Sequence, residues 1–181
     1  MKVVAWVGYP ACGKSTASQV ARSMGIPVIV MGDIIREEVQ RRGLEPNDAD
    51  TGAVADDLRK SEGMDAIAKR SIPRIIKEKN GAVVDGVRGI AEVIRFKERF
   101  KNDFILVTIF SPFNLRFERM CSRGRDDDGL TRDEFRLRDE REERWGLCDA
   151  LEASDITIKN DGDLDVFSKK IREILTEVIL K

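Results

Sequence analysis

The chain has 181 residues, with 32 Lys and Arg against 33 Asp and Glu, 41% hydrophobic positions and 36% charged ones. That length suits one domain with a full core and is short for two, and the composition excludes a disordered chain. A net charge of −1 gives no electrostatic reason to expect nucleic-acid or membrane binding, and the lack of histidine excludes histidine-based zinc chemistry and leaves Asp, Glu, Lys, Tyr or Cys as general bases.

In chain order, Val3 to Val7 is a continuous apolar run ending at Gly8, the pattern of a central parallel strand buried on both faces. The run is too short for a signal-peptide core or a membrane span. A helix is predicted over 15–24, with Ala17, Val20, Ala21 and Met24 on one face and Gly25 as its stop. A short strand over 27–31 and an amphipathic helix over 33–42 follow. The polar stretch 46–63 reads as a helix in a surface insertion, and 65–79 as a helix that Pro73 kinks or breaks.

A third strand is expected over 82–85, a helix over 89–100, and a strongly apolar strand over 104–110 (FILVTIF). A helix over 114–123, a charged loop over 124–129 and a very polar helix over 131–145 come next. The fifth strand is predicted over 155–158. Leu164, Phe167, Ile171, Ile174, Leu175 and Val178 define a final helix packed on the sheet. Cys12, Cys121 and Cys148 are odd in number and form no CxxC pair, which argues against a disulfide framework or zinc site and for a reducing, cytoplasmic setting.

Strands alternating with helices predict a parallel sheet with right-handed crossovers, and ligands in such folds sit beyond the carboxyl ends of the strands. The informative residues at 8–15, 31–36, 85–88 and 111–125 all follow strand ends. Gly8-Tyr9-Pro10-Ala11-Cys12-Gly13-Lys14-Ser15 matches GxxxxGK[ST] without departure, between a buried strand and a helix. Glycines let successive N–H groups turn inward on phosphate oxygens, and the helix that opens at Ser15 and Thr16 adds its dipole. Lys14, expected near the surface, supplies charge between the outer phosphates, and Ser15 an oxygen to Mg²⁺. Cys12 reads as a small residue that fits the loop rather than as an activated thiol.

A GTPase needs Asp-x-x-Gly after its third strand, whereas Asp85 is followed by Gly-Val-Arg. Ile158-Lys159-Asn160-Asp161 lacks the first Asn of a guanine-reading motif. A small-molecule kinase needs an acceptor pocket and several arginines over the phosphates. Met31-Gly32-Asp33-Ile34-Ile35-Arg36 is similar to the Gly-Asp-x-x-Arg stretch of adenylate kinases, which lines their acceptor site. Asp85-Gly86-Val87-Arg88 resembles their Asp-Gly-Phe-Pro-Arg segment, one residue shorter. Arg116, Arg119, Arg123 and Arg125, then Arg138 and Arg141, resemble their arginine-bearing lid. The stretch from Asp155 to Leu164 resembles the strand and turn bordering adenine in dephospho-CoA kinases, which makes Asn160 a nucleotide-site candidate. Nearly the whole chain resembles P-loop nucleoside monophosphate kinases, nearest to archaeal proteins related to adenylate kinase and dephospho-CoA kinase.

The resemblance implies a single three-layer α/β/α P-loop domain over 1–181, with a five-stranded parallel sheet in the order 2-3-1-4-5. The core would comprise 1–35, 80–113 and 150–181, with an acceptor-binding insertion at about 36–79 and a small lid at about 114–145, a division taken from that family's layered plan. ATP and Mg²⁺ are the expected cofactors, and a nucleotide-like small molecule the expected partner.

The residue types support specific roles. Asp85 would hold a Mg²⁺ water, the other reading being a helix cap. Asp33 and Arg36 lie three apart and so face one cleft. Asp33 would be a base toward a hydroxyl acceptor, or would orient Arg36 toward a phosphate acceptor; a capping ion pair is the plain reading. Arg88 is a second acceptor anchor. Nine arginines lie between 116 and 144. Most would belong to a solvated helix, while Arg119, Arg123 and Arg125 flank the loop expected to close over the transferring phosphate, with Gly124 and Gly129 as hinges. The expected activity is phosphoryl transfer from ATP to a nucleoside monophosphate. The alternatives are a dephospho-CoA kinase-like transfer to a hydroxyl and a P-loop switch acting through a partner.

Overall fold

The computed structural model describes residues 1–123 and 131–181, Arg123 by its backbone only. Five strands form one sheet: β1 (Val3–Val7), β2 (Val28–Val30), β3 (Ala82–Val87), β4 (Phe104–Phe110) and β5 (Ile156–Lys159). Every pairing is parallel, in the order β2-β3-β1-β4-β5. The doubly buried run at 3–7 lies in the middle, where side chains on both faces must leave water. Val3, Ala5 and Val7 enter one core and Val4 and Trp6 the other, the period-2 alternation of a strand covered on both faces.

Helices α1 (Lys14–Ser23) and α9 (Leu164–Val178) cover the Trp6 side. The other face takes α2 (Met31–Arg41), α3 (Asp48–Glu62), α4 (Ala66–Ile76), α5 (Ile90–Phe100) and α8 (Leu147–Glu152). The remaining helices, α6 (Phe113–Arg123) and α7 (Arg132–Arg144), follow β4. Val54, Leu58, Ile67 and Ile75 of the insertion belong to the main core, so the segment shares the sheet's hydrophobic layer.

Local differences from the sequence reading have simple causes. Pro73 lies inside α4 without ending it, and the helix stops at Ile76. α8 falls between the predicted polar helix at 131–145 and the fifth strand, where no element was predicted, and is set off by Gly146 at φ 88°. β3 runs to Val87 because its register with β1 shifts between Trp6 and Val7, at a bulge where Gly86 takes φ 102°. Asp85 therefore sits within the strand and not at its end, beside Val30 of β2 and Trp6 of β1. Among the described residues no helix is long and apolar enough to cross a membrane.

Candidate functional site

The loop from Gly8 to Lys14 caps β1 and opens α1. Gly13 has φ 114°, and a Cβ there would meet Asn160 Nδ2 at 2.1 Å. A Cβ on Gly8 would meet the Ile109 carbonyl oxygen at 2.4 Å. Both glycines are thus set by how tightly the loop packs on β4 and on the turn after β5. Asn160 donates from Nδ2 to the Cys12 carbonyl at 2.9 Å, and Ser111 Oγ donates to the same carbonyl at 3.1 Å. Cys12 is buried and fills the loop's interior.

Lys14 departs from expectation, being 7% exposed. Its Nζ folds under the loop and donates to the Gly8 carbonyl at 2.5 Å and the Tyr9 carbonyl at 2.9 Å. Burial pulls its pKa below the ordinary lysine value; nearby Cys12 opposes that pull and Arg88 adds to it. Tyr9 and Pro10 are held from outside. Tyr9 Oη donates to Glu143 Oε1 at 2.7 Å. Burial first, then that bond and the contact with Cys148, push the hydroxyl's pKa well above its ordinary value. Arg116 stacks 4.7 Å over the Tyr9 ring and donates to the Pro10 carbonyl at 3.2 Å.

Asp85 is buried and accepts a hydrogen bond from Ser18 Oγ at 2.8 Å. It shares a cavity wall with Ser15. Among the described residues no three acidic, Cys or His side chains cluster as a metal cage. One hydroxyl and one carboxylate instead suit a hard cation that takes its other oxygens from phosphate and water. Asp33 and Arg36 form an ion pair in the first turns of α2, each about half exposed. Arg36 lines the cavity. Arg88 pairs with Glu142 of α7 and reaches the Gly8 carbonyl at 3.5 Å.

The arginine segment divides by partner. Arg116 is buried and doubly bonded to Asp139 at 3.0 and 2.7 Å, so it braces α6 against α7. Arg119 donates to Ser111 Oγ at 3.0 Å and Asn160 Oδ1 at 3.3 Å, and faces the cavity. Arg132 and Arg136 lie over the Phe113 ring on the exposed side. Arg144 is exposed. Arg138 and Arg141 turn inward to Asp48 of α3. The Arg123 side chain, Gly124, Arg125 and Gly129 lie outside the described residues.

One cavity of about 520 Å³ beyond the strand ends brings together Ser15, Arg36, Asp85, Arg88, Arg119 and Asn160, while Asp33 and Arg116 are not among its lining residues. Lys14, Arg36, Arg59, Arg88, Arg119, Arg138 and Arg141 line it, against the carboxylates Asp48, Asp85 and Glu142. Arg59 and Trp145 also line it and were not singled out in the sequence, and so does Leu164, which was named only as part of the final helix and as the end of the 155–164 stretch. Arg59 is buried, pairs with fully buried Glu92 at 2.9 Å and lies 4.1 Å over the Trp145 ring. No local pattern marks it, because its partners are far along the chain. Leu164 carried a faint signal, an apolar residue at the helix start just after Asn160, and is 57% exposed.

The family model for an AAA domain, AAA_17, matches residues 7–134. The chain is 52% identical to a UPF0200 protein of Methanosarcina acetivorans over 99% of itself and 96% of that protein. It is 54% identical to a UPF0200/UPF0201 protein of Archaeoglobus fulgidus, over 98% of itself but only 56% of that protein's length. Among solved structures it is similar to a shikimate kinase from Acinetobacter baumannii in complex with shikimate (TM-score 0.55, 18% identity, covering 99% of this chain and 94% of that one). It is also similar to a gluconokinase from Sinorhizobium meliloti (TM-score 0.60, 15% identity, 99% and 94%).

Proposed function

We propose that this chain, which belongs to the AAA_17 family and to the UPF0200 proteins, is an ATP- and Mg²⁺-dependent kinase that transfers the γ-phosphoryl group to a nucleoside monophosphate. The observation that carries this reading is the cavity wall. Seven cationic side chains from six separate segments, the P-loop's own Lys14 included, converge on one cavity in a chain with net charge −1. Such a concentration serves a ligand with several phosphates, whose charge needs fixed positive partners in a water-poor site.

In this reading the N–H groups of the 8–16 loop cradle the donor's phosphates, and Lys14 leaves the Gly8 and Tyr9 carbonyls to bind the outer ones. Ser15 and Asp85 hold the Mg²⁺, which when bound neutralises charge on the phosphate oxygens. Asn160 and Leu164 border the donor's base. Arg119, beside Asn160, faces the transferring group. Arg36 and Arg88 hold the acceptor, with Asp33 orienting Arg36. The three cysteines are all free, which suits the cytoplasm.

A hydroxyl acceptor is the second reading. Asp33, at a cavity-lining turn with no histidine in the chain to compete, would then take the hydroxyl's proton. Two of the solved neighbours are named shikimate kinase, in complex with shikimate, and gluconokinase. The test is a screen of labelled ATP against nucleoside monophosphates, nucleosides and dephospho-CoA. Label transfer to a monophosphate is the expected result. Transfer only to a hydroxyl selects the second reading. ATP hydrolysis that no acceptor accelerates would mark a nucleotide switch and overturn both.

A further inference from the structure

Where α3 meets α7, a carboxylate of the chain itself lies inside the cavity. Asp48, the first residue of α3, places Oδ1 and Oδ2 at 2.9 and 3.0 Å from Arg141 Nη2, and Oδ1 at 3.3 Å from Arg138 Nε. The three side chains are only 12–19% exposed, and all three line the cavity that holds Lys14. Resting on the reading of the protein as a kinase, we infer that Arg138 and Arg141, across the same cavity from Arg36 and Arg88, complete the seat of the acceptor's phosphate dianion, and that Asp48 occupies their part of it as an internal competitor that the phosphate displaces.

The seat is larger than its present occupant needs. Both oxygens of Asp48 converge on one nitrogen of Arg141, and Arg141 Nε is buried with no hydrogen-bond partner among the described residues. An arginine binding an anion at full strength uses two nitrogens in parallel. A phosphate monoester has three acceptor oxygens and a charge near −2, so it can take Nε and Nη2 together and still face Arg138. A carboxylate acceptor would bring no more charge than Asp48 already supplies.

The seat is also rigid where it should be. The α7 end that bears the arginines is fixed to the core through Arg116–Asp139, Arg88–Glu142 and Tyr9–Glu143. A Cβ on Gly89 would strike the Trp145 carbonyl at 2.0 Å, so the helix end also presses on the turn before α5. Arg59–Glu92 and the bond from Trp145 Nε1 to Asp56 at 2.6 Å hold α3 further along. Asp48 is the first residue of that helix, next to its N-cap Asn47 and the preceding loop. The carboxylate can leave while the arginines stay.

Gly52 adds an independent sign. Glycine inside a helix costs about 1 kcal/mol relative to alanine. Here a Cβ would meet the Arg141 guanidinium at 2.8 Å. The missing side chain is what lets Arg141 lie flat along α3.

The test is calorimetric titration of inorganic phosphate, AMP and acetate into the full chain and its Asp48→Asn, Asp48→Asn/Arg141→Ala and Gly52→Ala variants. If the clasp is closed about nine-tenths of the time, removing the competitor tightens phosphate and AMP binding about tenfold. Acetate, with less charge and fewer acceptor oxygens, should bind more weakly than phosphate in every variant, the double variant should lose the gain, and Gly52→Ala should weaken AMP binding. Phosphate held by the P-loop is common to all variants, so the difference between them reports the arginine seat. Unchanged or weaker AMP binding in Asp48→Asn overturns the inference, as does a gain that survives removal of Arg141. If Asp48→Asn does not fold, Gly52→Ala decides, and AMP affinity equal to wild type overturns the inference. Binding needs no turnover, so a protein that gains AMP affinity in Asp48→Asn yet transfers no phosphoryl group would refute the kinase reading and leave the seat standing.

Discussion

The phosphate loop and the arginine segment supply cations to the same cavity by opposite routes. In the loop everything is local. Lys14 folds onto carbonyls five and six residues back, and the glycines it needs are within the same eight-residue motif. In the segment 116–144 several of the described arginines are defined by a carboxylate or ring elsewhere in the chain. Arg116 is buried on Asp139 and Arg141 is turned inward by Asp48, while Arg132 and Arg136 rest on Phe113 outside. Charge alone therefore says little about an arginine's task. The element its partner sits on decides whether it braces the core or faces the ligand.

The largest expected effect tests the loop. Lys14→Ala should lower phosphoryl transfer by about 10³-fold or more, because the charge it removes faces the transferring phosphate. It should also lower stability by about 1–3 kcal/mol, since the buried Gly8 carbonyl and the partly buried Tyr9 carbonyl lose a donor. Unchanged turnover under saturating ATP would exclude the loop from the chemistry.

Arg116→Ala comes next and should act on the fold. It leaves Asp139, whose pKa burial already raises against Arg116's pull, as a buried carboxylate without its partner. Breaking such a pair costs about 3–5 kcal/mol. Urea denaturation of the two proteins measures it. A change under about 0.5 kcal/mol, the range of an ordinary surface substitution, would move Arg116 to the ligand-facing group and break the division drawn above.

How far the sequence could be read follows the same line. The sheet was legible because buried strands are continuous apolar runs and the P-loop motif fixes which of them is central. The order of the strands came from resemblance, and the pairing of β2, β3, β1, β4 and β5 agrees with it. The Gly8–Ser15 loop was legible as a motif, but the burial of Lys14 was not, since it depends on where the ammonium points within the loop. Arg116 could not be separated from Arg119 by sequence. They lie on one helix three residues apart, and only Asp139 on the one side and Ser111 and Asn160 on the other tell them apart. Gly52 was a usable sign that went unread, a glycine within a polar helix that marks a close approach.

Arg119→Ala should have a smaller effect and of the opposite kind to Arg116→Ala. Its guanidinium is partly exposed and bonded to neutral groups, Ser111 Oγ and Asn160 Oδ1. Removing it should leave the melting temperature nearly unchanged and lower kcat by about 10²-fold, the scale of one lost donor to developing charge. A change in ATP affinity with kcat intact would instead seat Arg119 on the donor's base, beside Asn160.

The smallest effect separates the outer end of the segment from its inner face. Thr131 and Glu134 form a capping box at the start of α7, with Thr131 N–H donating to Glu134 Oε2 at 2.7 Å and Thr131 Oγ1 donating to the same oxygen at 2.8 Å. The backbone bond first, and the hydroxyl second, hold the Glu134 carboxyl below the ordinary glutamate value of 4.5. A carboxylate with a depressed folded pKa stabilises fully above the unfolded value and loses that contribution as pH falls through the folded one. The melting temperature of Glu134→Gln should therefore lie below that of the wild type at pH 7, and the gap should narrow as the pH drops below 4.5. Thr131→Ala should cost about 1 kcal/mol at neutral pH, the usual worth of an N-cap. Neither substitution should alter AMP binding, because Asp139, Glu142 and Glu143 fix the inner end of α7 independently of its first turn. Loss of AMP affinity in Thr131→Ala, with the fold intact, would show that the outer end of the helix controls the arginines at 138 and 141 after all.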